Sequence, residues 1–199
     1  MTRRCVSVLL TEPTWTPPGI SSEEWSRALA EDAVDLLATL AEAEVALVAS
    51  GPSGLALAEA VRWPSMPILE VEQERPSRAL VAAAEQGFDQ AAVLACDAPD
   101  LPAMLIGKLL QPLGRRTVAA APATGGGLLG IAACLPPPEW LLAADPDLDS
   151  DIGHIRQAAP SQGVVAATPG WRRLRDPASF AGLDPHLEGW EATRALLGG

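Results

Sequence analysis

The segment that most constrains the fold is an apolar run that ends abruptly in acids. Residues 91–96 carry small and branched apolar side chains without polar alternation, and Asp97, Pro99 and Asp100 follow. Such a run is typical of a strand buried on both faces, as in a mostly parallel sheet covered by helices. The sequence therefore predicts an α/β protein in which Asp97 and Asp100 lie at the carboxyl end of a central strand, where such sheets bind ligands.

Predicted strands and helices alternate along the chain. Ser21 and Glu24 form a capping-box pattern before a helix whose apolar residues keep helical spacing as far as Leu40. The other predicted helices are residues 55–61, 75–86, 101–110, 139–144 and 151–158, and the predicted strands are residues 5–10, 44–49, 67–71, 91–96, 117–121, 128–134 and 163–167. This order predicts a three-layer α/β/α sandwich, with a mostly parallel sheet and right-handed crossovers, that spans residues 1–199 as a single domain.

Composition excludes several classes of protein. The chain has 25 acidic and 14 basic residues among 199, a net charge of −11, which disfavours nucleic acid as a partner. No apolar run approaches the roughly 20 residues that span a bilayer, and the short apolar run after Arg4 indicates a first strand rather than a secretion signal. We therefore expect a cytoplasmic protein. Cys5, Cys96 and Cys134 lie in apolar runs without metal-ligand spacing, so buried thiols are expected.

Two further patterns are better explained as turns than as ligand sites. Residues 125–130 match G-x-G-x-x-G, but the proline triplet at 136–138 leaves no room for the helix that would bind a pyrophosphate. A glycine turn between two strands is expected instead. The acids at 145–151 begin like a calcium loop, yet Ser150 and Arg156 stand where that loop needs Gly and Glu. We interpret them as a solvated turn in which Ser150 or Asp151 caps the next helix.

Asp97 and Asp100 have two possible roles. Carboxylates at a strand end could ligate Mg²⁺ or Mn²⁺, because these hard cations bind through one or two carboxylates together with substrate phosphates. Alternatively, Asp97 caps the following helix and Asp100 is a solvated turn acid. The position at a strand end alone does not separate these possibilities.

The segment ACDAPDLP at residues 95–102 resembles a bacterial family of nucleotide-diphospho-sugar transferases, in which the matching segment reads close to GSDCPDLT. Weaker agreement extends over most of the chain, at Pro13, Gln73, Arg78, the pair 122–123, Trp171 and the pair 176–177. The family has a glycosyltransferase-A-like fold and is related to the molybdenum-cofactor guanylyltransferases. The resemblance implies a nucleotide bound at the strand ends, a Mg²⁺ or Mn²⁺ ion on its diphosphate ligated by Asp97, and a phosphate contact from Arg78.

The chain departs from this family at charged positions. Relatives carry bases after the first strand, in a pattern like KxPxxGxxKTRL, whereas nothing basic occurs here between Arg4 and Arg27. Where relatives read PAxDGGY and DVDTPEDL, this chain has PATGGGL at residues 122–128 and arginines at positions 173 and 175. Arg172, Arg173 and Arg175 could instead bind phosphate directly and replace the metal with fixed positive charge.

The resemblance gives two hypotheses of different class. The first is a transferase that moves a glycosyl or nucleotidyl group from an activated nucleotide, with Asp97 as the cation ligand and with Arg78, Arg173 and Arg175 as phosphate contacts. The second is a non-catalytic member of the same fold that acts as a binding or partner subunit. Stabilisation by a nucleotide or nucleotide sugar would favour the first.

Overall fold

A mostly parallel sheet runs through the centre of the molecule. The computed structural model describes residues 2–184 and 186–198. Within them the strands are β1 (Arg4–Leu9), β2 (Glu44–Ala49), β3 (Ile68–Glu70), β4 (Gln90–Ala95), β5 (Val118–Thr124), β6 (Leu128–Cys134), β7 (Val165–Ala167) and β8 (Trp171–Arg172). The helices are α1 (Ser22–Ala38), α2 (Gly51–Val61), α3 (Pro76–Glu85), α4 (Ala103–Leu110), α5 (Glu139–Ala144), α6 (Ile152–Ala158), α7 (Pro177–Phe180) and α8 (Glu191–Leu196).

The strand order creates a crevice beside β4. The sheet runs β3-β2-β1-β4-β6-β5-β7, with β8 also paired to β5. The chain passes outward from β1 through β2 to β3 and then returns to place β4 on the other side of β1, so the strand order reverses between β1 and β4. Among the strands of the described residues, β6 alone runs antiparallel to its neighbours, β4 and β5. Ligands of open α/β sheets bind at the carboxyl ends of the strands at such a reversal, and Asp97 lies there.

Helices cover both faces of the sheet, as predicted for a three-layer sandwich. In β1, Val6 and Val8 pack into the apolar cluster beneath α1, α2 and α4, whereas Cys5 and Leu9 pack into the cluster beneath α3, α5 and α6. Because side chains alternate between the two faces of a strand, a strand covered on both sides must be apolar throughout. The same reason explains the uniform apolar run of β4, whose residues are all buried.

Most element boundaries match the predictions within two residues, with one clear correction. Ser21 caps α1 through the predicted capping box. Residues 51–54, predicted to be a turn before a helix starting at Leu55, are instead the first turn of α2. Pro52 is responsible, because its fixed φ suits the first helical positions and its missing N–H is not needed there.

The C-terminal helix is attached to the sandwich by a buried acid. The prediction did not include β8, α7 or α8, which are short. Asp32 on α1 accepts hydrogen bonds from the backbone N–H groups of Ala192 and Thr193 at 2.8 and 2.9 Å. Burial raises the pKa of Asp32 to about 6. In the described part of the chain, no helix combines the length and hydropathy needed to cross a bilayer.

Candidate functional site

Two acids lie at the carboxyl end of β4, and both are buried. Asp97 and Asp100 follow the last strand residue, Ala95, and precede α4. Cys96, between the strand and Asp97, is also buried, and burial raises the pKa of its thiol. Because buried carboxylates need partners that satisfy their charge, these two acids determine what must pack over the strand end.

A late segment of the chain supplies those partners. After β7, the backbone continues along β5, and β8 pairs with the end of β5 at Ala123 and Thr124. Gly170 allows this close approach, because a Cβ at this position would lie only 1.9 Å from the carbonyl oxygen of Pro122. The chain then crosses the end of β4, where the Leu174 N–H donates to the carbonyl oxygen of Asp97 at 2.7 Å. The arginines on either side of Leu174 are thereby placed above the acids.

Arg173 forms a bidentate ion pair with Asp97. Its Nε donates to Asp97 Oδ1 at 2.5 Å and its Nη2 donates to Asp97 Oδ2 at 2.9 Å. The Arg173 side chain is 5% exposed and that of Asp97 is 8% exposed. Burial raises the pKa of Asp97 above its ordinary value, and the Arg173 guanidinium opposes that rise by favouring the charged form. The structure brings Asp97 and Arg173 together, but they bind each other. Their roles as a cation ligand and a phosphate contact stay predictions.

Arg175 extends the pair into a network with an acid that sequence reasoning placed in a turn. Its Nη2 donates to Asp149 Oδ1 at 2.6 Å, and its Nε lies 3.8 Å from Asp97 Oδ2. Gly127 leaves room for this arrangement, since a Cβ there would lie 2.9 Å from Arg175 Nη1. Arg175 is 22% exposed, so its guanidinium is nearer to solvent than that of Arg173. The sequence did contain a signal for this pairing, namely opposite charge: four acids lie at residues 145–151 and three arginines at residues 172–175.

Asp100 is neutralised in a separate arrangement. Its Oδ1 accepts from the indole Nε1 of Trp171 at 3.0 Å, and its Oδ2 accepts from Arg172 Nε at 2.8 Å. The Arg172 guanidinium also lies over the Trp171 ring, 4.7 Å from its centroid. Asp100 is therefore a buried anchor for β8, and the idea that it is a solvated turn acid is wrong.

Arg78 lies on the same edge of the sheet but apart from this network. It occupies the first turn of α3 and its side chain is exposed. Among the described residues it makes no hydrogen bond or ion pair with Asp97, Arg173 or Arg175. Its neighbour Arg75 binds Asp147 at 2.9 Å. Arg78 is thus an exposed residue at the start of α3, outside the network of Asp97, Arg173 and Arg175.

The loop after β1 is held by aromatic packing. The Trp15 ring meets Trp25 edge-on at 6.2 Å between centroids and Phe180 at 5.5 Å. Trp25 is fully buried in the first turn of α1. Because this loop lacks lysine and arginine, it offers no side-chain cation to a phosphate. Basic charge at this edge comes from α3 and from the segment around Arg173.

The side chains at this edge do not fit a divalent cation as they stand. Both carboxylate oxygens of Asp97 are bonded to Arg173. Across residues 2–184 and 186–198, no three His, Cys, Asp or Glu side chains are grouped closely enough to hold a metal ion. A cation would have to displace the Arg173 guanidinium first. The role of Asp97 as a metal ligand therefore stays a prediction.

The glycine turn is as predicted, whereas the acidic turn is only in part the solvated turn expected, because Asp147 pairs with Arg75 and Asp149 with Arg175. Gly125, Gly126 and Gly127 form the turn between β5 and β6, and all three have positive φ. Asp151 caps α6 by accepting from the Gly153 N–H at 2.6 Å. Neither segment has the geometry of the dinucleotide or calcium motif that its sequence resembles.

Comparison with known proteins identifies the fold. No protein-family model and no curated protein matches the chain. Among solved structures, it is similar to a protein from Desulfovibrio desulfuricans described as a nucleotide-diphospho-sugar transferase, with a TM-score of 0.68 and 18% identity over 99% of this chain and 97% of that one. The fold predicted from the ACDAPDLP segment is thereby confirmed.

Two further structures share the fold and contain nucleotides. Glucosyl-3-phosphoglycerate synthase from Mycobacterium tuberculosis, solved with Mn²⁺, uridine diphosphate and phosphoglyceric acid, has a TM-score of 0.58 and 16% identity over 98% of this chain and 77% of that one. CMP:2-keto-3-deoxy-manno-octonic acid synthetase, solved with CTP, has a TM-score of 0.58 and 11% identity over 99% of this chain and 98% of that one. At these identities the similarity establishes the fold alone.

Proposed function

We propose that this chain, which has the fold of the nucleotide-diphospho-sugar transferases, binds a nucleotide or nucleotide sugar in the crevice beside β4 and transfers a glycosyl or nucleotidyl group from it. The observation that carries the proposal is the convergence of Asp97, Arg173 and Arg175 on the carboxyl end of β4, where the strand order reverses. Similar structures that contain uridine diphosphate and CTP support the choice of ligand. We propose the cytoplasm as the location, since activated nucleotides are made and used there.

The arginines have different roles in this proposal. Arg175 and Arg78 are the phosphate contacts, because a guanidinium can bind phosphate through two hydrogen bonds and both side chains are more exposed than that of Arg173. A phosphate on Arg175 would replace its present acceptors, the carbonyl oxygens of Gly126 and Leu148 and the Asp149 carboxylate. Arg173 is a positioning residue, since nearly all of it is buried and all three of its nitrogens already donate within the protein. It fixes Asp97 and the segment that carries Arg175.

The test is thermal unfolding with a panel of nucleotides and nucleotide sugars, each measured with Mg²⁺, with Mn²⁺ and with EDTA. A ligand at one hundred times its dissociation constant stabilises by about 2.7 kcal/mol, which raises the Tm of a chain of this length by roughly 5–11 °C. We expect one nucleotide class to give this rise, and we expect the rise to persist in EDTA. Product formation from the same ligand then identifies the group transferred.

Arginine variants locate the binding site. Arg175→Ala should abolish the ligand-induced rise in Tm, because it removes a phosphate contact at the crevice. Arg115→Ala is the matched control, since Arg115 is an exposed arginine that precedes β5 at the opposite edge of the sheet. An equal loss in both variants would contradict binding beside β4.

A non-catalytic role is the second candidate, and one observation favours it. The carboxylates of Asp97 and Asp100 both form ion pairs within the protein, with Arg173 and Arg172 respectively. Carboxylates that are already paired with arginines are costly to separate from them, so they leave little capacity to bind a cation or a reacting group. If no nucleotide or nucleotide sugar raises the Tm under any of the three conditions, this role as a binding or partner subunit replaces the transferase proposal.

A further inference from the structure

The Arg173 guanidinium is surrounded by oxygen atoms. In addition to both oxygens of Asp97, its Nη1 donates to the carbonyl oxygens of Leu128 and Leu148 at 3.2 and 2.8 Å, and lies 3.5 Å from Asp149 Oδ1. Five oxygens from four residues thus face one buried cationic group. They come from three separate segments of the chain, namely the end of β4, the start of β6 and the loop before α6.

This set of oxygens is of the kind that binds a hard divalent cation. Carboxylate and backbone carbonyl oxygens are the protein ligands that Mg²⁺ and Mn²⁺ prefer. A planar guanidinium meets the same oxygens with directed N–H donors, and it cannot lose its proton at accessible pH. The charges also balance, because the carboxylates of Asp97 and Asp149 face the guanidinium groups of Arg173 and Arg175.

We propose that Arg173 is a built-in cation that occupies a latent divalent-metal site and excludes Mg²⁺ and Mn²⁺ from the end of β4. The latent ligands are the carboxylates of Asp97 and Asp149 and the carbonyl oxygens of Leu128 and Leu148. Removing the Arg173 guanidinium takes the bidentate partner from Asp97, which is 8% exposed, while Asp149 is 65% exposed and keeps its bond to Arg175. The buried carboxylate of Asp97, with the two carbonyl oxygens beside it, then attracts a divalent ion, and Asp149 completes the set by exchanging Arg175 for the metal. This inference concerns the metal alone and does not depend on nucleotide binding.

The first experiment measures Mn²⁺ binding to the wild type and to Arg173→Ala by electron paramagnetic resonance and by thermal unfolding, with no nucleotide present. We expect millimolar Mn²⁺ to leave the Tm of the wild type unchanged. We expect it to raise the Tm of Arg173→Ala by roughly 5–11 °C, the rise for a ligand near one hundred times its dissociation constant. The bound Mn²⁺ signal should correspond to one ion per chain.

Two further variants separate a metal site from a general effect of Mn²⁺. The double variant Asp97→Asn, Arg173→Ala should lose the Mn²⁺-induced rise, because it removes the central carboxylate. Arg172→Ala is the matched control: it removes the neighbouring arginine that pairs with a buried acid, but that acid, Asp100, keeps its hydrogen bond from Trp171 Nε1. Mn²⁺ should not stabilise this variant.

Three results would overturn the inference. The first is equal Mn²⁺ binding by the wild type and Arg173→Ala. The second is a folded Arg173→Ala variant that binds no Mn²⁺. The third is an Arg173→Ala variant that stays unfolded with and without Mn²⁺, because a metal would then be unable to take the place of the guanidinium. A failure of the nucleotide screen has no bearing on these outcomes.

Discussion

Removing one partner of the Asp97–Arg173 pair should destabilise the protein far more than removing an exposed ion pair. Asp97→Asn leaves the Arg173 guanidinium buried with one acceptor lost, and breaking a buried pair in this way costs about 3–5 kcal/mol. For a chain of this length, the corresponding fall in Tm is roughly 6–20 °C. Urea unfolding measures the free energy of unfolding directly.

The comparison uses a double-mutant cycle and an exposed control. Arg173→Met should also cost several kcal/mol, and the double variant should cost less than the sum of the two, with a coupling energy of about 1–3 kcal/mol. Glu31→Gln breaks the exposed pair with Arg27, and such pairs contribute at most about 1 kcal/mol. If Asp97→Asn costs no more than Glu31→Gln, or if the two single effects simply add, the reasoning about this pair is wrong.

Two other predictions concern the parts that hold the site in place. Burial raises the pKa of Asp32 to about 6 from 3.8, so the folded state binds this proton more tightly than the unfolded state does. The stability that Asp32 contributes is therefore present at low pH and is lost as the pH rises through 6. Urea unfolding from about pH 4 to about pH 7 should show the wild type losing about 2–3 kcal/mol relative to Asp32→Asn, and a constant difference would contradict this. Gly170→Ala should lower the free energy of unfolding by more than about 2 kcal/mol, because its Cβ meets the Pro122 carbonyl. Gly107→Ala, which has open space within α4, should raise the free energy of unfolding by about 0.5–1 kcal/mol, and similar effects for both glycines would refute the packing argument.

The layers and the central strand could be predicted because their signals are local. A strand covered on both faces must be apolar throughout, so the uniform apolar sequence of β4 was enough to predict a central, buried strand. The capping box at Ser21 marked the start of α1 for the same reason, since its hydrogen bonds involve residues only three apart. The two-residue strand β8 carries no such signal, because it is defined by pairing with β5.

The site was predictable in its members but not in its contacts. The residues Asp97, Arg173 and Arg175 could be selected from charge and from the resemblance. Their pairing depends on how the chain passes along β5, which is determined by the lack of a side chain at Gly170. The pairing of Asp149 with Arg175 was not predicted, because the alternating acids of its own segment are equally compatible with a solvated turn.

The long separation between the acids and their arginines gives the molecule an order of assembly. Asp97 precedes Arg173 by 76 residues, and Asp100 precedes Arg172 by 72. At synthesis rates of roughly 5–20 residues per second, a nascent chain holds both carboxylates for several seconds before any of the three arginines exists. Until then the end of β4 must remain hydrated, because unpaired carboxylates cannot enter an apolar interior. The end of β4 is therefore covered late in folding, after the segment with the three arginines has been synthesised.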